Sequence, residues 1–346
     1  MSYFLVSPAR KLTCYDTEQV RKYDAELSHL HGVALRKLSS AAKGSVRTEI
    51  ISWHRVRLLL SFSREKGERG SQPMNCPYCS VSATKKRTKK TEMGYATFFC
   101  TACRRAFNER TGTPFNHLEV PTDIVLLVVL WRLRYKLSLR DIAEMFLTRG
   151  FVFTHETVRD WEARFAPLVA DHLRTKRHGQ AGRSWYVDET YLKVHGKWCY
   201  LYRAIDYDGN LVDSMLSEKR NMEAAQRFFK QAVAVVGHGP DQVTTDGHRS
   251  YPRAIRETMD SDVQHLTNTY LNNRLEQDHR GIKQRYYPMR GFGTVEAASR
   301  FCCAFDELRN YLRPRRTMGE VISLLEQRQV FLQRLVALQT AVQAVS

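Results

Sequence analysis

The chain has 346 residues, with 54 Lys and Arg against 36 Asp and Glu, a formal net charge of +18 and a pI of about 9.7. Hydrophobic residues make up 43 %, enough for a packed core, which excludes a disordered chain; the length suits two or three compact units. Such a charge excess repels itself in a compact state and is relieved by a polyanion, so nucleic acid is the first partner to consider and an anionic membrane the second.

The excess is uneven. Residues 1–115 carry 21 Lys and Arg against 9 Asp and Glu, and residues 116–346 carry 33 against 27. The first third therefore reads as a DNA-gripping region and the rest as a more ordinary globular one. The opening MSYFLVSPARKL lacks the apolar stretch of a secretory signal. The longest apolar run, Ile124–Trp131, is too short to span a bilayer. The expectation is a cytoplasmic, nucleoid-associated protein with no membrane segment, whose eight cysteines are reduced thiols or metal ligands.

In chain order, residues 1–70 alternate polar and apolar at helical spacing over Thr17–Leu38 and Val46–Phe62, with no chemistry assigned. Residues 71–117 hold Cys76-Pro-Tyr-Cys79 and Cys100-Thr-Ala-Cys103, two knuckles twenty residues apart. Four soft thiolates at this spacing suit one tetrahedral Zn²⁺, as in a zinc ribbon; a redox pair would need a single knuckle. Between them run Lys85, Lys86, Arg87, Lys89 and Lys90, read as a basic hairpin tip against DNA phosphates, with Arg104, Arg105 and Arg110 extending the patch. Cys14, Cys199, Cys302 and Cys303 have no partner spacing and read as buried small apolar residues.

Residues 118–180 read as helices: Ile124–Arg134, Ser138–Phe146, a turn at Thr148-Arg149-Gly150, and Thr154 to about Phe165. Ser138 and Thr154 are suited to cap the second and third. The last pair fits a helix-turn-helix with His155 and Arg159 turned outward, or an ordinary helical hairpin; the net charge and the neighbouring basic region tilt the choice toward DNA. Residues 184–312 give strands at Trp185–Val194, Lys197–Ile205 and Leu211–Ser217, a helix at Met222–Val236, a strand at Gln242–Thr245, a helix near Tyr251–Thr258, a strand at Val263–Thr267 and a helix at Asn272–Tyr286. Three meander strands followed by strand-helix-strand-helix is the order of an RNase H-like, retroviral-integrase-like core with a mixed five-stranded sheet. The fold class is thus multidomain α+β. The tail, 314–346, reads as one amphipathic helix with Val321, Leu324, Phe331, Leu335, Leu338 and Val342 on a stripe, packed on its own chain or forming a coiled-coil contact in a homodimer.

Three acids stand out. Asp188 lies inside the apolar strand Trp-Tyr-Val-Asp-Glu-Thr-Tyr, where a carboxylate is costly unless paired or metal-bound. Glu189 alternates to the opposite face, so only one of the two is expected to be catalytic. Asp246 ends Val-Thr-Thr directly before Gly247, at a strand end where ligands gather, though a turn-forming Asp-Gly is common. Glu276 shares a helix face with Asn272, Asn273, His279, Arg280 and Lys283, a face suited to metal and phosphate together; a solvated surface helix is the plain alternative. Two strand carboxylates and one helix carboxylate suffice for two Mg²⁺ (or Mn²⁺) ions in phosphoryl transfer. In that reading Asp188 bridges both ions, Asp246 and Glu276 hold one each, and Asn273, His279, Arg280 and Lys283 face the phosphates.

Asp-Glu-Thr-Tyr-Leu-Lys-Val from Asp188, Val-Thr-Thr-Asp-Gly ending at Gly247, and Asn-Asn-Arg-Leu-Glu-Gln-Asp-His-Arg-Gly-Ile-Lys ending at Lys283 resemble the three acid blocks of bacterial insertion-sequence transposases of family six. Leu-Ser-Leu-Arg-Asp-Ile-Ala-Glu-Met-Phe and Thr-His-Glu-Thr-Val-Arg-Asp-Trp resemble that family's helix-turn-helix. The resemblance covers about Leu137 to Tyr311 and implies a DDE enzyme that binds the element's terminal inverted repeats, cuts 3′ ends, transfers strands into target DNA and joins replicons as cointegrates. The 30 positions from Asp246 to Glu276 are fewer than usual for the family, and the segment before the helix-turn-helix is longer. Two other functions compete: a zinc-ribbon and helix-turn-helix regulator with an inactive RNase H-like domain, against which the intact triad argues, and a junction-resolving nuclease, against which the paired DNA-binding modules argue.

Overall fold

A computed structural model describes residues 74–267, 273–289, 291–314 and 320–344. The expected helices of residues 1–70, Cys14 and Asn272 lie outside the described residues, as do the side chains of Asn273 and Val342.

The first described unit is a three-stranded antiparallel sheet, β1 (Thr84–Lys90), β2 (Ala96–Cys100) and β3 (Ala106–Asn108), in that order. The basic run is not the tip of the hairpin. It is strand β1 itself, with every residue from Lys85 to Lys90 exposed, because Phe98 of β2, Phe107 of β3 and the four cysteines supply the sheet's inner layer. Arg110 does not extend the patch either. It is buried, bonding the carbonyl oxygens of Phe115 and Leu118 at 2.7 and 2.8 Å. A guanidinium can satisfy several backbone acceptors at once, and here it fixes the exit of the sheet. Tyr95 joins it to the next element: its hydroxyl accepts from the Thr122 amide at 2.8 Å.

Helices α1 (Thr122–Arg134), α2 (Leu139–Leu147) and α3 (His155–Arg177) follow. Ser138 caps α2 in a reciprocal capping box with Asp141, and Thr154 caps α3. Gly150 holds φ +82 in the turn between them. α3 runs well past the expected stop near Phe165, through Pro167, to Arg177. Tertiary burial offsets the lost hydrogen bond: Phe165, Val169 and Leu173 are buried, and Arg177 is paired with Glu307 at 2.7 Å.

The main sheet has the order β6-β5-β4-β7-β8, formed by β4 (Ser184–Val194), β5 (Lys197–Asp206), β6 (Leu211–Ser217), β7 (Gln242–Thr245) and β8 (Gln264–Thr267). β4, β5 and β6 are antiparallel neighbours, while β7 runs parallel to both β4 and β8. This is the expected mixed sheet. Helices α4 (Met222–Val236) and α5 (Ser250–Thr258) cover one face, packing on Trp185, Val187, Tyr202 and Ala204. The other face, with Leu192 and Leu201, packs beneath α6 (Asn273–Tyr286) and α7 (Val295–Leu312). α7 carries no expectation from the sequence.

α1, α2 and α3 share that second core with α6 and α7, so residues 118–180 do not form a core of their own. α8 (Leu324–Ala344) docks on it through Phe331, Leu335 and the buried Leu338, on its own chain. Val321 and Leu324, the start of the expected stripe, are exposed instead. Among the described residues, no helix is long and apolar enough to cross a membrane. Cys199 and Cys302 are buried, as expected of small apolar side chains, whereas Cys303 is only half-buried.

Candidate functional site

The parallel register sets the site. Tyr186 lies opposite Thr244, so two residues further along each strand Asp188 and Asp246 stand level, at the open end of β7. Asp246 Oδ1 accepts from the His248 amide at 2.9 Å, which aims its other oxygen inward. Gly247 holds φ +85, and a Cβ there would lie 2.6 Å from Thr267 Cγ2, so the turn after Asp246 needs glycine.

Glu189 alternates to the α4/α5 face, as expected, yet it does not leave the site. Ligand oxygens of Asp188, Glu189 and Asp246 all lie within 4.8 Å of one another. Arg220, in the turn between β6 and α4, donates to Glu189 Oε2 and Asp246 Oδ2, each at 3.0 Å. Neither Glu189 nor Arg220 figured in the sequence expectation as part of the site. Burial, reinforced by the like charges of Glu189 and Asp246, pushes the Asp188 carboxyl up to about 7. Glu189 Oε1 is buried without a hydrogen-bond partner among the described residues. An all-oxygen donor set, crowded by like charge and holding an unpartnered buried oxygen, fits a hard divalent cation.

Glu276 is exposed in the first turn of α6 and is not one of the three clustered acids. Its neighbour Leu275 is fully buried against Tyr186 and Ile205. Tyr186 and Asp188 are two apart on β4 and share a face, so the start of α6 lies on the Asp188 side of the sheet. A buried ion-pair cluster anchors that helix: Arg203 of β5 pairs with Asp278 at 2.5 Å and with Asp306 of α7 at 2.8 Å.

The expected phosphate face of α6 is split. Arg280 is exposed and Lys283 half-buried. His279 is buried at 4 % exposure, and burial beside Arg203 holds its imidazole down at about 3. It faces the core as a neutral ring, which removes it from the groups facing phosphate. On α3, Arg159 is exposed and ion-paired to Glu156, and His155 Nε2 lies 3.0 Å from the same carboxylate.

The four knuckle cysteines converge. Cys76 and Cys103 Sγ are 3.6 Å apart, as are Cys79 and Cys100 Sγ, and all four lie within 4.8 Å. A tetrahedron with metal–sulfur bonds of about 2.3 Å has edges of about 3.8 Å, so the set fits a Zn²⁺-sized ion without rearrangement.

A family model described as a DDE domain matches residues 182–315, the span that encloses β4 to β8 and α4 to α7. The chain is 39 % identical over 176 residues to the transposase for insertion sequence-like element IS431mec of Staphylococcus aureus, covering 49 % of this chain and 77 % of that protein. The same figures describe its similarity to the transposase for insertion sequence element IS257 in transposon Tn4003 of the same organism. Among solved structures, the HTLV-2 integrase catalytic core domain in complex with magnesium is similar at 18 % identity and a TM-score of 0.32, over 44 % of this chain and 99 % of that one.

Proposed function

The chain belongs to the DDE transposases of insertion-sequence family six and is a polynucleotidyl transferase; on that premise we propose that it binds the terminal inverted repeats of its element, cleaves their 3′ ends and transfers them into target DNA. The observation that supports this reading is the level pair Asp188 and Asp246 at the ends of two parallel strands, with Leu275, the residue before Glu276, packed on Tyr186 on the Asp188 side of the sheet.

Asp188, Asp246 and Glu276 are the residues that would hold two Mg²⁺ or Mn²⁺ ions. When bound, such ions supply Lewis-acid activation of the attacking oxygen and charge stabilisation at the leaving one. The chain's own groups do the rest. The buried Arg203–Asp278–Asp306 cluster keeps α6 in place. Arg280 and Lys283, and Asn273 at the start of the helix, face the flanking phosphates.

DNA grip falls to the other modules. Residues 71–117 act as a zinc ribbon, with Cys76, Cys79, Cys100 and Cys103 as ligands and Lys85, Lys86, Arg87, Lys89 and Lys90 lying along the backbone. α2 and α3 act as the helix-turn-helix of residues 118–180, with His155 and Arg159 entering a groove once released from Glu156. Residues 184–312 are the catalytic core. Two DNA ends call for two copies, so a homodimer in the cytoplasm, on the nucleoid, is the working assembly.

The test is a joining assay. Purified chain is mixed with labelled DNA carrying the repeat and a supercoiled target, with Mg²⁺ or with EDTA. Metal-dependent 3′ nicking and joining are expected, lost in Asp188→Ala, Asp246→Ala and Glu276→Ala. Repeat-specific binding without joining in the unaltered chain would support instead a DNA-binding regulator with an inactive core.

A further inference from the structure

Beyond the carboxylates on β4, the sheet carries an open cavity of about 600 Å³ lined by Tyr191, Trp198, Tyr200, Lys283, Tyr286 and Tyr287. The transposase reading assigns these aromatics no role. Tyr191, Trp198 and Tyr287 are 48 %, 58 % and 66 % exposed, a large apolar area to leave in water. The rings are ordered against each other: Tyr191 stands edge-on to Trp198 with centroids 6.4 Å apart, and Tyr200 lies 5.4 Å from Tyr191. Tyr286 forms a fixed wall, its hydroxyl accepting from the Lys193 amide at 2.7 Å and donating to the Lys193 carbonyl oxygen. Lys193 Nζ sits 5.7 Å from the Trp198 ring centre, and Lys283 is part of the cavity lining. The cavity lining includes no carboxylate.

Flat exposed rings flanked by two lysines match one ligand chemistry well, a heterocyclic base carrying a phosphate. The position is also particular. Tyr191 is two residues from Glu189 along β4, a rise of about 7 Å along the strand from that member of the acid cluster. A nucleotide next to a phosphate held at that cluster has its base within reach of these rings.

We infer that this cavity receives one unstacked nucleobase of the strand being cut, adjacent to the scissile phosphate, with Trp198 and Tyr191 as its stacking surface. The inference rests on the transposase reading and adds a specific contact to it.

The experiment uses the full chain with no added Mg²⁺ or Mn²⁺ and no chelator, so that no strand is cut and the cysteine site keeps its zinc, and duplexes carrying the terminal repeat with a single abasic residue walked across the positions flanking the cut. At one or two positions, loss of the base is expected to weaken binding by the unaltered chain about tenfold. Trp198→Ala is expected to lose that sensitivity to within about twofold, and Trp198→Phe to keep it, with unchanged thermal melts. This non-additivity is the signature of contact between ring and base. If the chain prefers the repeat but the two losses multiply at every position, the base site is wrong and the transposase reading stands. The base site is equally wrong if Trp198→Ala changes only the oligomeric mass. If the chain shows no preference for the repeat over unrelated duplex, the DNA reading falls and the base site with it.

Discussion

Arg220 and Asp246 are joined by a 3.0 Å ion pair, and the same Arg220 nitrogen holds the buried Glu189 at 3.0 Å. One cation thus serves two members of a three-carboxylate cluster. Arg220→Ala leaves Glu189, whose side chain is 1 % exposed, as an uncompensated buried charge, a loss of about 3 kcal/mol or more. The melting temperature in EDTA should fall. Mn²⁺ should then raise it more for Arg220→Ala than for the unaltered chain, because an added cation relieves the repulsion. An equal Mn²⁺ response in both proteins would show that Arg220 does not neutralise the cluster.

The turn beyond Asp246 gives a second prediction. Gly247→Ala forces a left-handed residue, at a cost of about 1–2 kcal/mol, and drives a methyl toward Thr267. Mn²⁺ binding, followed by electron paramagnetic resonance, should weaken while α-helical circular dichroism is kept. Unaltered binding would mean that the turn does not set Asp246.

The cysteine set predicts about one zinc per chain by elemental analysis, retained through dialysis and lost in Cys100→Ser. Ribbon protection in hydrogen exchange should vanish in that variant, because four crowded thiols cannot hold the small β1–β3 sheet unaided. The separate core around Trp185 and Phe228 should keep its protection. Zinc content near zero in the unaltered protein would overturn the assignment.

The strands and the two aspartates were legible because local pattern decides them. β4 is an apolar run broken by the adjacent carboxylates Asp188 and Glu189, β7 runs into Asp-Gly, and the bounds of β6, α4 and β7 came out as expected. What the sequence withheld depends on contacts between distant segments. α7 carries Asp306 and Glu307 on a buried face, which disguises its apolar periodicity until Arg203, Arg174 and Arg177 are seen to meet them. Arg220 sits 31 positions from Glu189, with no local signal that the two meet. His279 looked outward by helical spacing alone, and its burial follows from the Arg203 cluster that pulls α6 onto the sheet. The stop expected near Phe165 failed for the same kind of reason, since the packing of α3 on α7 outweighs the hydrogen bond missing at Pro167.

His279 also sets a pH dependence. Its imidazole is held at about 3 in the folded chain by burial and by Arg203, against 6.5 for the free group. Between those values the unfolded chain binds the extra proton and the folded chain does not. Stability from this group is therefore fully present above pH 6.5 and is lost as pH falls toward 3, by about 1.4 kcal/mol per unit. Asp188 and Asp306, raised by burial to about 7 and about 6, act in the opposite sense over part of this range, because the folded chain takes up their protons first. The quantity to read is therefore a difference between two proteins that share those carboxyls. His279→Gln keeps a polar side chain of similar reach but does not titrate. In urea unfolding with EDTA, the unaltered chain should be the more stable at pH 7.5, and its lead over His279→Gln should shrink by about 2 kcal/mol between pH 6.5 and pH 5. A lead that stays constant across that range would show that this buried imidazole does not take up a proton on unfolding.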